Sequence, residues 1–213
     1  MIICPSQPFD IFQIMNIERQ SFIPAIQEKK RVFEKRLKIF PEGFLLLADC
    51  SDEVILKNKT ALVCGYLCSE KWDSLPDFEN PDKKSEKLIK KQFCLGHNPL
   101  LTHKTNGSVL YVSSFALLKD YRGKGLGEKF FMNSVAALVS SHCEIKKVVI
   151  LVNEEWNAAR KIYEKLGFRE IFRLKEFFPT IQKKEFSDGI IMEADSEMFK
   201  NIEFSLGEQA IKI

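Results

Sequence analysis

The sequence has no apolar run near the 18 or more residues of a membrane-spanning helix, so no membrane partner is expected. Charge of one sign is missing too. Its 32 Lys and Arg are mixed with 29 Asp and Glu, for a net charge of +3. An excess that small, without a basic stripe interleaved with aromatics, gives no electrostatic case for nucleic acid. The segment Met1-Ile2-Ile3-Cys4-Pro5 lacks the basic and apolar regions of a signal peptide. The six cysteines follow no framework spacing, which is expected of reduced thiols in a cytoplasmic protein. Cys94 and His97 have a C-x-x-H spacing, but Cys64 and Cys68 fall on a predicted strand, where residues four apart lie roughly 13 Å from each other. No metal site is expected. Repeats and low-complexity segments are absent as well.

What is present reads as one mixed α/β domain over 1–213. Residues 1–72 carry a strand at Met1–Cys4 and helices at about Pro8–Phe22 and Ala25–Phe40. Strands follow at Phe44–Ala48 and Thr60–Cys68, joined by a polar turn through Asp52 and Asn58. Residues 73–107 form a charged excursion with one short helix near Ser85–Phe93; a solvated loop is the favoured reading of its acids Asp73, Asp77, Glu79 and Asp82. Residues 108–168 hold a strand through Leu117, a glycine-rich turn, a helix from about Gly125 to Ser140, and a wholly apolar strand at Lys147–Val152. An amphipathic helix at Asn153–Leu166 ends that stretch, capped by Gly167. Residues 169–213 supply two more strands and a weakly patterned tail. The order predicts a mostly antiparallel twisted sheet with a central parallel β-α-β crossover and helices on both faces.

A strand that runs through Arg122-Gly123-Lys124-Gly125-Leu126-Gly127 into a helix is an anion site in outline. Glycines admit a sharp turn and close approach of backbone N–H groups, and the helix N-terminus adds a favourable dipole. The spacing fits neither the Walker pattern G-x-x-x-x-G-K-[ST] nor the dinucleotide pattern G-x-G-x-x-G.

Arg122-x-x-Gly125-x-Gly127 resembles the acetyl-CoA motif of the GNAT superfamily of N-acetyltransferases. Asn153 through Asn157 to Tyr163-Glu164-Lys165-Leu166-Gly167-Phe168 resembles the same family's second hallmark, one helix and one strand downstream. The resemblance implies an enzyme that moves acetyl from acetyl-CoA directly onto a primary amine. It also implies roles: Phe115, Ala116 and Leu117 as the strand that pairs with the pantetheine arm, and Arg122 to Gly127 as the pyrophosphate cradle. Asn153 and Asn157 would lie beside the cofactor, and Tyr163 at the thioester sulfur as general acid. The N-terminal part, with Glu18–Phe22 and Gly65-Tyr66, more loosely resembles the arylalkylamine N-acetyltransferase branch. That branch carries two histidines where this sequence has Tyr111 and Ser113, so its histidine relay does not transfer.

The amine's base is open. Glu70, at a strand end, is the candidate, with His103 a weaker one; Ser113 or Ser114 could orient a water. The acceptor is open between a small amine, favouring a pocket roofed by the first two helices and the excursion, and a protein lysine or N-terminus. The second reading is a non-catalytic acyl-CoA-binding sensor, in a monomer or homodimer.

Overall fold

A computed structural model describes residues 1–51, 61–79, 81–180 and 185–200. Seven strands make one sheet: β1 (Ile2–Pro5), β2 (Phe44–Asp49), β3 (Leu62–Trp72), β4 (Val109–Leu117), β5 (Lys147–Asn153), β6 (Arg169–Pro179) and β7 (Phe186–Asp195). Their spatial order is β1-β2-β3-β4-β5-β7-β6. All neighbours pair antiparallel except β4 and β5, which run parallel on either side of helix α5 (Leu126–Ser141). The predicted architecture is the one observed.

Alternation along the strands sends side chains to two cores. Leu45, Leu47, Leu67, Leu110 and Val112 face α5, together with Tyr163 of α6 (Asn157–Lys165) and Phe199 of α7 (Glu197–Lys200). Phe44, Leu46, Tyr66 and Cys68 face α1 (Ile11–Ser21) and α2 (Lys30–Ile39) through Ile14, Ile17, Phe33 and Leu37. On that second face α3 (Lys83–Phe93) buries Ile89 and Phe93 against Trp72 and Tyr111. A four-residue helix, α4 (Pro99–Thr102), follows it.

One irregularity makes room for a site. Strands β4 and β5 pair only from Val109↔Lys147 to Val112↔Ile150. Beyond that β4 runs on to Leu117 and β5 to Asn153 without each other. The sheet is therefore split between them.

Several boundaries differ from expectation for local reasons. The second helix begins at Lys30 instead of Ala25, after a single 3-10 turn at Pro24–Ile26. Residues 27–29 stay extended there, and the Glu28 amide donates to Glu18 Oε1 (2.6 Å). The Asn153 side chain accepts from the Glu155 amide (2.9 Å), which holds a turn and delays α6 to Asn157. Strand β3 continues to Trp72, so Glu70 lies within it and not at its end. In the excursion the acids Asp73, Asp77, Glu79 and Asp82 are exposed, as expected, and the expected helix, α3, packs on the sheet. Gly167 has the expected left-handed φ of 86°. The turn read through Asp52 and Asn58 lies outside the described residues, as does the tail past Lys200.

Candidate active site

The split opens a cleft of about 980 Å³ that reaches both faces of the sheet. Its lining joins the glycine turn and α6 on the α5 side to α1, α2 and the segment Phe93–His97 on the other.

On the α5 side the site is made largely of backbone. Gly123 and Gly125 have φ of 73° and 72°, the left-handed region that costs an L side chain about 1–2 kcal/mol. A Cβ at either position would meet nothing within 4 Å, so the turn presents bare backbone to open space. The first hydrogen bond of α5 is Lys129 N–H to Gly125 O (3.2 Å), and the amides from Gly123 to Glu128 find no acceptor among the described residues. Such a row of free donors at a helix N-terminus suits a phosphate group. Arg122, Gly123, Gly125 and Gly127 line the cleft; Lys124 and Leu126 do not, and Lys124 Nζ donates to Asp120 O (2.9 Å).

The Leu118 amide donates to Cys64 O (2.8 Å), towards β3. By the two-residue alternation of a strand, the backbone groups of Ala116 also turn to β3 while those of Phe115 and Leu117 face the gap. Leu117 O already accepts from Arg122 Nε (2.8 Å), which straps the turn to the strand. Asn157 lines the cleft, whereas Asn153 is buried in the turn described above.

Tyr163 lines the cleft at 8% exposure, edge-on to Phe131 and Phe168. Burial pushes its phenol above the usual range. Its hydroxyl makes no hydrogen bond to the described residues and is not sealed from solvent, which leaves it facing the cleft.

The opposite side is built from buried ionisable groups. Glu18 of α1, 1% exposed, lines the cleft. Its carboxylate accepts from the Glu28 amide and from the Tyr66 hydroxyl, which in turn lies 2.9 Å from Ser114 Oγ. Desolvation raises Glu18 to about 7, an effect that these two hydrogen bonds only partly offset. Glu70 is equally buried but opposite in character. Burial pushes it up, yet His97 Nε2 (2.5 Å), Arg36 and the Thr102 hydroxyl hold it down at about 2. Both its oxygens are engaged and it does not line the cleft. His103 also serves the framework: its Nδ1 accepts from the Lys71 amide (3.1 Å) and its ring packs on Phe40.

Three site residues escaped sequence reasoning: Glu18, Arg36 and Trp156. The signal for the first two was present. Glu18 continues the Ile11–Ile14 stripe of α1, and Arg36 sits among Val32, Phe33 and Leu37 of α2, so each charge interrupts an apolar face. Trp156 packs between Phe22 and Phe178 (centroids 5.6 and 5.5 Å), joining the two sides of the cleft; nothing local in the sequence distinguishes it.

Among the described residues no group of three or more His, Cys, Asp or Glu is placed to hold a metal ion. No described helix is long and apolar enough to cross a membrane.

Residues 92–170 match the family described as Acetyltransferase (GNAT) domain. The fold is similar to that of the ribosomal-protein-S18-alanine N-acetyltransferase from Escherichia coli (16% identity, 95% of this chain and 99% of that one, TM-score 0.62). It is also similar to Arabidopsis thaliana NAA60 in complex with acetyl-CoA (16% identity, 91% and 97%, TM-score 0.61). A third similar structure is the GphF GNAT-like decarboxylase in complex with isobutyryl-CoA (11% identity, 92% and 100%, TM-score 0.68). Identities this low show the fold, and the chain has the GNAT fold. No curated protein matches the chain by sequence.

Proposed function

We propose that this chain is an acetyl-CoA-dependent N-acetyltransferase, with Tyr163 and Glu18 acting from opposite sides of the split sheet. The observation that carries the reading is the cleft itself. It runs from the free amides of Gly123–Glu128, past the Tyr163 hydroxyl, to a carboxylate raised to about 7. The residues fit acetyl-CoA: the glycine turn offers uncapped donors to a pyrophosphate, and Phe115 together with the Leu117 amide offers unpaired strand backbone to an amide-bearing arm. Acetyl-CoA supplies the activated acyl group; the protein's residues manage the protons.

An alkylamine with a pKa near 10.4 is neutral only about one part in a thousand at pH 7. Glu18 can take the proton, directly or through Ser114 and Tyr66, because its raised pKa makes it a stronger base than an ordinary carboxylate while leaving it ionised above about pH 7. Glu70, held near 2 and turned from the cleft, cannot do this work and instead fixes His97. Tyr163, kept protonated by burial, donates a hydrogen bond to the sulfur as negative charge develops and gives up its proton late. Transfer is direct, within a ternary complex, and needs no covalent intermediate.

The test is thiol release from acetyl-CoA with a panel of amines and peptides, expected to rise with pH through about 7. Tight CoA binding without release for any acceptor would transfer the reading to a non-catalytic acyl-CoA sensor.

A further inference from the structure

Arg36 is a charge that the proposed chemistry leaves unused. It is 3% exposed and lines the cleft. Glu28 Oε2 lies 3.5 Å from its Nη1 and Glu70 Oε1 lies 3.9 Å from its Nε. Other donors occupy both carboxylates. Glu28 accepts the amides of Lys29 (3.0 Å) and Gly96 (3.1 Å), and Glu70 accepts from His97 and Thr102. Nε and Nη1 are consequently buried without an acceptor, while Nη2 is not sealed. Nε and Nη1 thus stay turned to the two carboxylates, and Nη2, with no acceptor among the described residues, is the donor left open to an oxygen from a ligand.

We propose that Arg36 receives a neutral carbonyl oxygen of the acceptor, which makes the acceptor an α-amino amide, as at the N-terminus of a peptide. The inference rests on the acetyltransferase reading. Spacing supports it: Glu28 donates its amide to Glu18 and holds its carboxylate beside Arg36, so base and guanidinium stand about one residue apart. Charge selects the neutral oxygen. Glu28 and Glu70 already face Arg36. A ligand carboxylate would add a further negative charge beside two carboxylates that already share one guanidinium; an amide carbonyl adds none. Phe93, Tyr111 and Phe177 in the lining offer apolar surface to the first side chain.

The experiment compares phenylalaninamide, phenethylamine and phenylalanine as acceptors for the intact protein. With each rate corrected for the fraction of acceptor present as neutral amine, the amide should exceed both others in kcat/KM by about 10- to 100-fold, the worth of a hydrogen bond to a charged group. In Arg36→Lys and Arg36→Met that preference should fall to near parity. Equal rates for amide and amine in the parent protein, a preference for the free acid, or a preference surviving in Arg36→Met would each overturn the assignment. The parent comparison stands even if Arg36→Met fails to fold. If no acceptor releases thiol, the acetyltransferase reading fails separately. Calorimetry of the three compounds on the CoA-loaded protein then decides this inference: tighter amide binding supports it and equal binding overturns it.

Discussion

The two sides of the cleft are made of different materials. Towards α5 the groups are peptide N–H donors on a glycine turn, exposed and without partners. Towards α1 and α2 they are Glu18, Glu28, Arg36, Glu70 and His97, all buried and, apart from Arg36, hydrogen-bonded. Backbone donors suit a ligand whose shape is fixed; buried side chains can be exchanged singly, which suits the part of a reaction that distinguishes acceptors. The contrast also separates Glu18 from Glu70. They share a face and an exposure near 1%, yet one is raised to about 7 and the other lowered to about 2, because desolvation outweighs the Glu28 and Tyr66 hydrogen bonds at Glu18, whereas His97, Arg36 and the Thr102 hydroxyl together outweigh it at Glu70.

The sharpest way to break this comparison is Tyr163→Phe, which removes the phenol proton that faces the cleft from the backbone-built side. Turnover should fall roughly 10²–10⁴-fold with CoA affinity within about twofold, read by thiol release and calorimetry. Unchanged turnover would mean that this side only binds.

Next comes Glu70→Leu, which leaves Arg36 and His97 buried without their shared carboxylate. Stability should drop by about 3–5 kcal/mol in denaturant titration. For the intact side chain the pKa is depressed, so its contribution is present above the unfolded value near 4.5 and lost as pH falls through about 2.

Glu18→Gln should lower kcat/KM by about 100-fold and flatten the acid limb near pH 7. Its stability effect runs the other way. A raised carboxylate favours folding below the unfolded value and loses that advantage as pH rises through about 7, so the Gln variant should gain in melting temperature at pH 8 relative to pH 5. A loss at pH 8 would contradict the assigned shift.

The smallest effect is expected from Gly125→Ala, where φ is 72°. It should raise KM for acetyl-CoA about tenfold, from about 1–2 kcal/mol of left-handed strain, and leave kcat near the parent value.

What could be read from the sequence divides along the same line. The β4–turn–α5 unit is written in adjacent residues, because glycines, helix starts and strand alternation are local rules; the turn from Arg122 to Gly127 was therefore legible as a turn that opens a helix. So was the element order, including the one parallel crossover. The side built from buried ionisable groups was not. Glu18 meets Glu28 and Tyr66, and Tyr66 meets Ser114, so three other segments converge there, and Glu70 meets His97 and Thr102 from the excursion. Reading Glu70 as a strand-end acid missed its place inside β3, because the bulge between Cys68 and Ser69 and the continuation of β3 to Trp72 depend on pairing with β4. The usable clue was a charge inside an apolar stripe, at Glu18 and at Arg36.

The short register between β4 and β5 has a mechanical consequence. Strands β1 to β4 and β5 to β7 form two plates whose sheet hydrogen bonding runs from Val109 only to Val112. A ligand arm lying along Phe115 and Leu117 would extend that weld. Acetyl-CoA should then act as a structural member, raising the unfolding free energy by about 2.7 kcal/mol at one hundred times Kd and slowing amide exchange at those two residues.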